Sequence, residues 1–356
     1  MIFSYRFQKN FIYRYKSFLN SDFKNIKNSP YWEEHKKKNN VKILKSSIQL
    51  SGVSGFYHNK KINFFRHLFK FLRKGFSKLK GLINYFFNNL ILLLPYRNAF
   101  DMVFSINGLA DIDINKYRVN FKEVRSKSEI KNFSDIKKDY KRFCNLEATD
   151  HVIISYYWFI LLKHYGALTR RQKIVEIGAG TGHLASLIVR KYNSKIIIID
   201  LFETLVHLIP YIKSTHLESN ILFPNEVTKK NILSSNYDFI FLLPNQIHLL
   251  TKNNIDLVIN TFSFQEMLNS EIKKYFKKIY QLIKKGGFFF SVNRVEKIPI
   301  SSFHTKYYKI LPNRFFDYPF ICSSKIIIFE ICRLMRLVQL DNVYMRLEKI
   351  IKKKPG

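Results

Sequence analysis

The sequence predicts an α/β protein with a doubly wound, mostly parallel sheet and a helical N-terminal extension. From Lys173 onward, short apolar runs rich in β-branched residues alternate with helical runs, which is typical of a parallel sheet. A glycine-rich turn follows the first of these runs and precedes a helical one. The chain has 356 residues, 47% of them hydrophobic, which suffices for one large domain with additions or for two domains.

Five short apolar runs are predicted as strands of this sheet: Lys173–Ile177, Lys195–Ile199, Asp238–Leu243, Asp256–Ile259 and Phe288–Val292. The intervening runs His183–Tyr192 and Ser270–Lys284 are predicted as helices. A later apolar run, Lys325–Ile331, is predicted as a strand at the edge of the sheet. We expect Gly286-Gly287 to form a turn between the second helix and the fifth strand.

Residues 1–150 are predicted to form a helical or irregular basic region, and residues 151–356 the domain that carries the sheet. Residues 1–60 show no long periodic pattern, so we expect them to be irregular or weakly helical. Residues 62–94 have apolar residues at three- and four-residue spacing opposite basic ones, which indicates an amphipathic helix. It either packs on the core, which we favour, or lies on an anionic membrane surface. His151–His164 is predicted as a strongly apolar helix.

The net charge of +34 predicts attraction to an anionic partner, either nucleic acid, anionic lipid or an acidic substrate. Lys, Asn, Ile, Phe and Tyr are abundant throughout the chain, however. A compositional bias of an AT-rich genome accounts for the charge equally well.

The cysteine pattern and the apolar runs predict a cytoplasmic protein that contacts membranes peripherally at most. Cys144, Cys322 and Cys332 are odd in number and lack metal-ligand spacing, so we expect neither a disulfide framework nor a metal site. The apolar run Leu90–Leu94 is far shorter than the ~20 residues of a membrane-spanning helix. No N-terminal signal peptide is visible.

The segment that indicates chemistry is Ile174-Val175-Glu176-Ile177-Gly178-Ala179-Gly180-Thr181-Gly182. Glycines allow a tight turn and let a ligand lie against bare backbone, and the following helix adds unpaired N–H groups. Asp200 ends the next strand, about 20 residues further on. In a right-handed β-α-β unit this carboxylate lies beside the glycine turn, where it can accept both hydroxyls of a ribose.

Two classes of nucleoside cofactor use this layout. Dinucleotide enzymes require Gly-x-Gly-x-x-Gly, whereas this chain has Gly-x-Gly-x-Gly and places His183 at the third dinucleotide position. Glu176, just before the glycines, would repel a pyrophosphate but suits the cationic sulfonium and amino group of S-adenosylmethionine (SAM). The combination favours SAM, with a glycine turn that binds no ligand as the alternative.

A second polar segment follows the fourth predicted strand, which ends at Asn260. It reads Thr261-Phe262-Ser263-Phe264-Gln265-Glu266-Met267 and lies near the switch point of a doubly wound sheet, where ligands bind. The fifth strand ends in Asn293-Arg294, on the same side of the sheet as the glycine turn if it is parallel.

These stretches resemble the Rossmann-like SAM-dependent methyltransferases, and in detail the sugar O-methyltransferases of bacterial surface-polysaccharide gene clusters. The resemblance covers about a third of the chain, and its matching pieces are Glu176–Gly182, Ile199–Leu205, Asn260–Met267 and Asn293-Arg294. The chain departs from the expected pattern at Phe202, where we expect proline. The implied cofactor is SAM, held by Glu176, Gly178, Gly180, Gly182, Asp200 and Asn260.

The implied reaction is methylation of a sugar hydroxyl on a surface glycan, or on its nucleotide- or lipid-linked precursor. A base must help remove the hydroxyl proton, and Glu266 is the candidate. The same carboxylate could instead favour the start of the following helix. Gln265, Asn293, Arg294 and His304 are candidate substrate contacts, with a surface loop position as the alternative for His304.

Two other functions stay open. Methylation of base amino groups commonly uses an Asp/Asn-Pro-Pro-aromatic turn after the fourth strand, and this chain has Asn260-Thr261-Phe262-Ser263 there. Cytosine C5 methylation needs a cysteine nucleophile near that strand, and none is present. RNA ribose or guanine methylation is compatible with the sequence. A non-catalytic SAM-binding scaffold is the second alternative, against which the intact glycine turn and Asp200 argue.

Overall fold

The computed structural model describes residues 2–25, 40–51, 119–128, 133–144, 148–233, 236–267, 269–294, 324–335 and 340–351. Within these ranges, eight strands form one mixed sheet and three more form a small N-terminal sheet. None of the helices in these ranges is both long enough and apolar enough to cross a membrane.

The strands are β1 (Ile2–Arg6), β2 (Asn40–Ile43), β3 (Ser47–Ser51), β4 (Lys173–Ile177), β5 (Lys195–Ile199), β6 (Ile221–Leu222), β7 (Phe239–Leu242), β8 (Ile255–Thr261), β9 (Ile283–Arg294), β10 (Ser324–Met335) and β11 (Leu340–Ile350). The helices are α1 (Lys9–Leu19), α2 (Phe121–Ser126), α3 (Phe133–Cys144), α4 (Asp150–His164), α5 (His183–Tyr192), α6 (Phe202–Thr215) and α7 (Asn269–Leu282). Short 3-10 turns include Pro224–Glu226, Pro244–Leu249 and Phe264–Glu266.

The large sheet has the strand order β10-β11-β9-β8-β4-β5-β7-β6. The strands from β9 to β6 are parallel to one another, and β11 is antiparallel to both β9 and β10. Numbered along the chain, β7, β5, β4, β8 and β9 follow the 3-2-1-4-5 order of a doubly wound fold. The chain therefore has an α/β, Rossmann-like fold, whose winding reverses between β4 and β8.

The central strands are buried on both faces. Ile196 and Ile198 of β5 belong to the apolar cluster that includes residues of α4, α5 and α6. Ile197 and Ile199 belong to the cluster that includes residues of α7. A parallel strand covered on both sides needs an apolar residue at nearly every position, and the four consecutive isoleucines of β5 meet that need.

The N-terminal sheet is antiparallel with β3 in the middle, and α1 fixes this region to the large sheet. Tyr15 and Phe18 of α1 are fully buried in the cluster that also covers β5. The Tyr15 hydroxyl donates to the carbonyl oxygen of Val206 in α6 at 2.7 Å. The expectation of an irregular or weakly helical segment is right for α1. It is wrong for β1, β2 and β3, which are too short to display a clear two-residue period.

Most sequence predictions for the large sheet are confirmed. The bounds of β4, α5 and β5 are those predicted, and the late edge strand is β10. Gly286 and Gly287 are a correction, because they lie inside β9 where its register with β8 shifts. Gly287 allows this irregularity because a Cβ there would crowd the backbone of Asp256. The strand β11 was not predicted.

Two predicted features lie outside the described residues, namely the amphipathic helix of residues 62–94 and the site residue His304. The division of the chain at residue 150 stays a prediction.

Candidate functional site

The glycine loop between β4 and α5 lies at the switch point of the sheet. Gly178, Gly180 and Gly182 have φ values of 70°, 54° and 67°. This left-handed region is open to glycine at little cost and is unfavourable for other L-residues. The sequence therefore forms the turn because glycine occupies each position where the backbone must enter that region.

The three glycines serve different purposes. A Cβ at Gly178 would overlap the side chain of Ser263, which follows β8, and one at Gly182 would overlap Leu208 of α6. These two glycines are needed for close packing. A Cβ at Gly180 would meet no atom within 4 Å. The backbone at Gly180 thus borders open space, as a ligand-binding turn requires.

Asp200 connects the end of β5 to this loop. Its Oδ2 accepts the N–H of Gly180 at 3.0 Å, and its Oδ1 accepts the N–H of Leu201 at 2.8 Å. Burial raises the pKa of Asp200 to about 6, although these two hydrogen bonds act in the opposite direction. Each carboxylate oxygen can accept a further hydrogen bond, so the pair suits the two hydroxyls of a ribose.

Glu176 is buried in β4 beneath the loop. Burial, and secondarily the nearby charge of Asp200, raise the pKa of Glu176 to about 8. Its Oε2 has no hydrogen-bond partner within the part of the chain that the structure describes. A buried carboxyl oxygen without a partner is costly, and a cationic ligand beside the loop would compensate for it.

Asn260 links the carboxyl ends of three parallel strands. Its Nδ2 donates to the carbonyl oxygen of Ile177 in β4 at 3.0 Å, and its Oδ1 accepts Nδ2 of Asn293 in β9 at 2.9 Å. The Asn260 amide also donates to Ser263 Oγ, which in turn donates to the Ile177 carbonyl at 3.1 Å. The Asn260 and Asn293 side chains are fully buried and Ser263 is half-buried, and their network fixes where the loop after β8 meets the glycine loop.

Gln265 and Asn293 are buried near the carboxyl ends of β8 and β9. The Oδ1 of Asn293 accepts the backbone N–H of Gln265 at 3.3 Å, and its Nδ2 also donates to Ser291 Oγ at 3.0 Å. Both predicted substrate contacts have buried side chains. In this structure Asn293 positions the segment after β8, and the substrate contacts of Gln265 and Asn293 stay predictions.

The predicted base and one predicted substrate contact lie at the same edge of the sheet. Glu266 ends the 3-10 turn after β8 and is partly exposed, and its N–H donates to the carbonyl of Ser263 at 3.0 Å. Arg294 is the last residue of β9. The catalytic role of Glu266 and the substrate contact of Arg294 stay predictions.

Phe262, between Asn260 and Ser263, has a φ of 60°, which is unfavourable for a residue with a bulky side chain. Its N–H donates to the carbonyl of Val292 in β9 at 2.7 Å, and its ring packs 5.5 Å from the ring of Trp158 in α4. Strained backbone of this kind concentrates at functional sites, because the surroundings must hold it in place.

Sequence reasoning missed Asn245 as a site candidate. It is exposed and follows β7, the strand beside β5, in the turn that begins at Pro244. Its amide has donors and an acceptor that would suit the edge of a nucleobase, if Asp200 held the ribose of a nucleoside. The sequence feature that could have identified it is the Pro244-Asn245 pair, a turn residue and a polar residue directly after a predicted strand.

No protein-family model matches the sequence, and no curated protein is significantly similar to it. Solved structures with weak similarity include a protein from Pyrococcus horikoshii, with 14% identity and a TM-score of 0.40 over 62% of this chain and 100% of that one. A SAM-dependent methyltransferase from Methanosarcina mazei has 13% identity and a TM-score of 0.38, over 54% of this chain and 98% of that one. Phosphoethanolamine N-methyltransferase 2 of Haemonchus contortus, solved with SAM, has 14% identity and a TM-score of 0.37, over 62% of this chain and 61% of that one. Values this low assign neither an activity nor a substrate.

Proposed function

We propose that this protein is a SAM-dependent methyltransferase. The observation that supports it best is the joint placement of the open glycine loop, Asp200 on the Gly180 N–H, and the buried Glu176 beneath them. Asp200 would bind the ribose, and Glu176 would balance the positive charge of the methionine part. SAM, when bound, supplies an electrophilic methyl group.

The proposed acceptor is a sugar hydroxyl on a glycan or on its nucleotide- or lipid-linked precursor. This finer proposal rests on the resemblance at Ser263–Met267 and on the partly exposed Glu266, whose carboxylate would take the hydroxyl proton. The remaining task of the chain is to orient the acceptor and exclude water.

Cofactor binding is tested with a pair of matched glycine variants. Gly180 and Gly286 both have positive φ, and an added Cβ would meet no atom within 4 Å at either position. Gly286 lies near the start of β9, at the opposite edge of the sheet. Both Gly→Ala changes therefore impose a similar backbone cost of about 1–2 kcal/mol, but only Gly180→Ala places a methyl group where the ligand would lie.

Calorimetry should give one SAM site in the wild type, an affinity weakened about tenfold or more in Gly180→Ala, and a near-normal affinity in Gly286→Ala. Absence of binding by folded wild-type protein would refute the cofactor proposal. An equal loss of SAM affinity in the two variants would mean that the Gly180 substitution weakens binding only by destabilising the fold.

The acceptor is tested by incubating the protein with labelled SAM and either a cell-envelope glycan extract or total RNA. We expect a methyl ether in the released sugars, and a rate reduced about 10²–10⁴-fold in Glu266→Gln if Glu266 is the base. Transfer to RNA alone would reject the sugar proposal and keep the methyltransferase proposal. A normal rate in the variant would return Glu266 to a structural role.

A further inference from the structure

A positively charged surface covers the edge of the large sheet where the parallel strands begin, opposite the glycine loop. We call it the amino-edge surface. Its exposed basic residues are Arg170, Arg171, Lys252, Lys285, Lys325 and Lys349. Arg170 and Arg171 precede β4, Lys252 precedes β8, and Lys285 is near the start of β9. Lys325 is near the start of β10. Lys349 lies near the end of β11, which is at the same edge because β11 is antiparallel to β9 and β10.

These charges lie close to one another. Lys325 and Lys349 are directly opposite in the register of β10 and β11, an arrangement that is unfavourable for like charges. The pKa of Lys278 is lowered by burial and then by the charge of Lys252. At two places along this edge, like positive charges therefore lie close enough to affect one another.

Few carboxylates oppose this potential. Asp256 accepts the N–H of Lys173 at 2.7 Å and pairs with Lys284, and Asp238 accepts the N–H of Asn220 at 2.8 Å. Glu218 is exposed at the same edge. Asp139 pairs with Arg190 and Lys191, and Glu348 is buried beside Arg346. Among the described residues of this edge, the exposed basic groups therefore outnumber the exposed carboxylates.

Large apolar side chains are exposed among these charges. Leu217, in the loop after α6, is 63% exposed, and Ile351, directly after β11, is 46% exposed. Phe143 near the end of α3 is 44% exposed, and the guanidinium of Arg190 lies 4.0 Å from its ring centre. The helix α5 runs from the carboxyl edge of the sheet back to the amino edge, so Arg190 in its last turn lies at the amino edge. Phe143, which contacts Arg190, therefore lies at the same edge.

We infer that the amino-edge surface docks on an anionic lipid bilayer. Basic residues interspersed with exposed apolar side chains match the headgroup charge and the acyl boundary of such a membrane. Leucine and isoleucine contribute little to nucleic-acid binding, which uses phosphate contacts and aromatic stacking. Nucleic acid bound at this edge would also lie away from the candidate site.

The orientation has a consequence for the site. β4 has five residues and spans about 17 Å between the two edges of the sheet. A protein docked by its amino edge holds the glycine loop away from the bilayer, open to acceptors in water. The membrane inference does not depend on the proposed methyltransferase function.

Vesicle co-sedimentation with the full chain tests the inference. The vesicles are phosphatidylcholine alone, or phosphatidylcholine with about one third phosphatidylglycerol, at low and at physiological salt. We expect binding to the anionic vesicles only, weakening as salt increases. Absence of binding to the anionic vesicles, or equal binding to both kinds, would overturn the inference.

Two sets of exposed lysines then locate the surface. The edge variant carries Lys→Gln at Lys252, Lys285, Lys325 and Lys349. The control variant carries the same change at Lys9, Lys16, Lys42 and Lys45 on α1 and the β2–β3 hairpin. We expect partition to fall on the order of 10²–10³-fold in the edge variant and only a few-fold in the control.

A matched pair of apolar variants tests the hydrophobic contribution. Leu217→Ser with Ile351→Ser should weaken partition about tenfold or more, whereas Tyr13→Ser with Leu44→Ser should leave it within about twofold. Tyr13 and Leu44 are exposed large side chains on the N-terminal segment. Equal losses in the edge and control variants, or binding to an RNA oligomer that vesicles do not displace, would reject the assignment. All variants change exposed side chains, and circular dichroism checks that each is folded.

Discussion

At the scale of single residues, the two carboxyl groups of the site differ in how their charge is satisfied. Asp200 accepts two backbone N–H groups, whereas Oε2 of Glu176 has no hydrogen-bond partner among the described residues. Burial and then the charge of Asp200 raise the pKa of Glu176 to about 8, whereas burial, opposed by its backbone hydrogen bonds, raises the pKa of Asp200 to about 6. Near neutral pH the carboxyl of Glu176 is therefore mostly protonated.

This difference predicts how stability changes with pH. The folded protein keeps the proton of Glu176 up to about pH 8, whereas the unfolded chain releases it near the ordinary value of 4.5. The raised pKa stabilises the fold below 4.5, and this contribution is lost as the pH rises through 8. Between pH 6 and 8.5 the wild type should lose about 1–3 kcal/mol of unfolding free energy that Glu176→Gln retains.

Urea unfolding of both proteins at pH 6 and pH 8.5 measures this loss. His207 and His216, whose pKa values are near 4, lie below this window. Asp200, whose pKa is about 6, titrates at its lower limit but is present in both proteins, so the difference between wild type and variant reports Glu176. The same pH dependence in wild type and variant would show that Glu176 does not titrate in this range.

At the scale of secondary-structure elements, Arg14 makes the main polar attachment of α1 to the outer strands. Arg14 donates to both carboxylate oxygens of Glu226, at 2.7 and 2.6 Å, and to the carbonyl of Ile221 in β6 at 2.5 Å. Glu226 in turn accepts the N–H of Phe223 at 3.0 Å, and Gln246 bridges to Pro224 at 2.9 Å. These bonds connect the N-terminal region to the turn that carries Asn245.

Removal of this attachment should destabilise the whole fold, because α1 shares a core with the large sheet. Arg14→Ala should lower the unfolding free energy by about 1–3 kcal/mol, since it leaves a partly buried carboxylate without its charged partner. Arg14→Lys should recover only part of the loss, because a lysine cannot bind both oxygens in the same planar geometry.

Lys127→Ala is the control, because Lys127 pairs with Glu123 on an exposed helix surface. Such a pair contributes about 0.5 kcal/mol or less. Chemical denaturation of the three variants compares the losses directly. An Arg14→Ala effect no larger than that of Lys127→Ala would mean that the other contacts of α1 hold it in place without Arg14.

At the scale of the whole molecule, the two edges of the large sheet have different roles. The carboxyl edge carries the glycine loop, Asp200 and Glu266, whereas the amino edge carries the exposed lysines and arginines. This separation follows from a parallel sheet, in which every strand begins at one edge and ends at the other. The vesicle experiment tests the proposed role of the amino edge without reference to the cofactor.

The sequence by itself determined the elements whose signals are local. β4, α5 and β5 have the predicted bounds because β-branched runs and glycines fix short stretches of backbone independently of distant partners. The same signals identified Glu176, the glycines and Asp200 as one site, since a right-handed β-α-β connection leaves one arrangement for them.

Only the tertiary structure decided features that depend on pairing between distant segments. It inserted β11 between β9 and β10, and it paired β1 and β2 with β3. It also showed that the Asn293 side chain is buried and donates to Asn260 Oδ1, a contact that the sequence did not indicate. Strand pairing and burial depend on residues far apart in the chain, and local periodicity carries no information about which of them will meet.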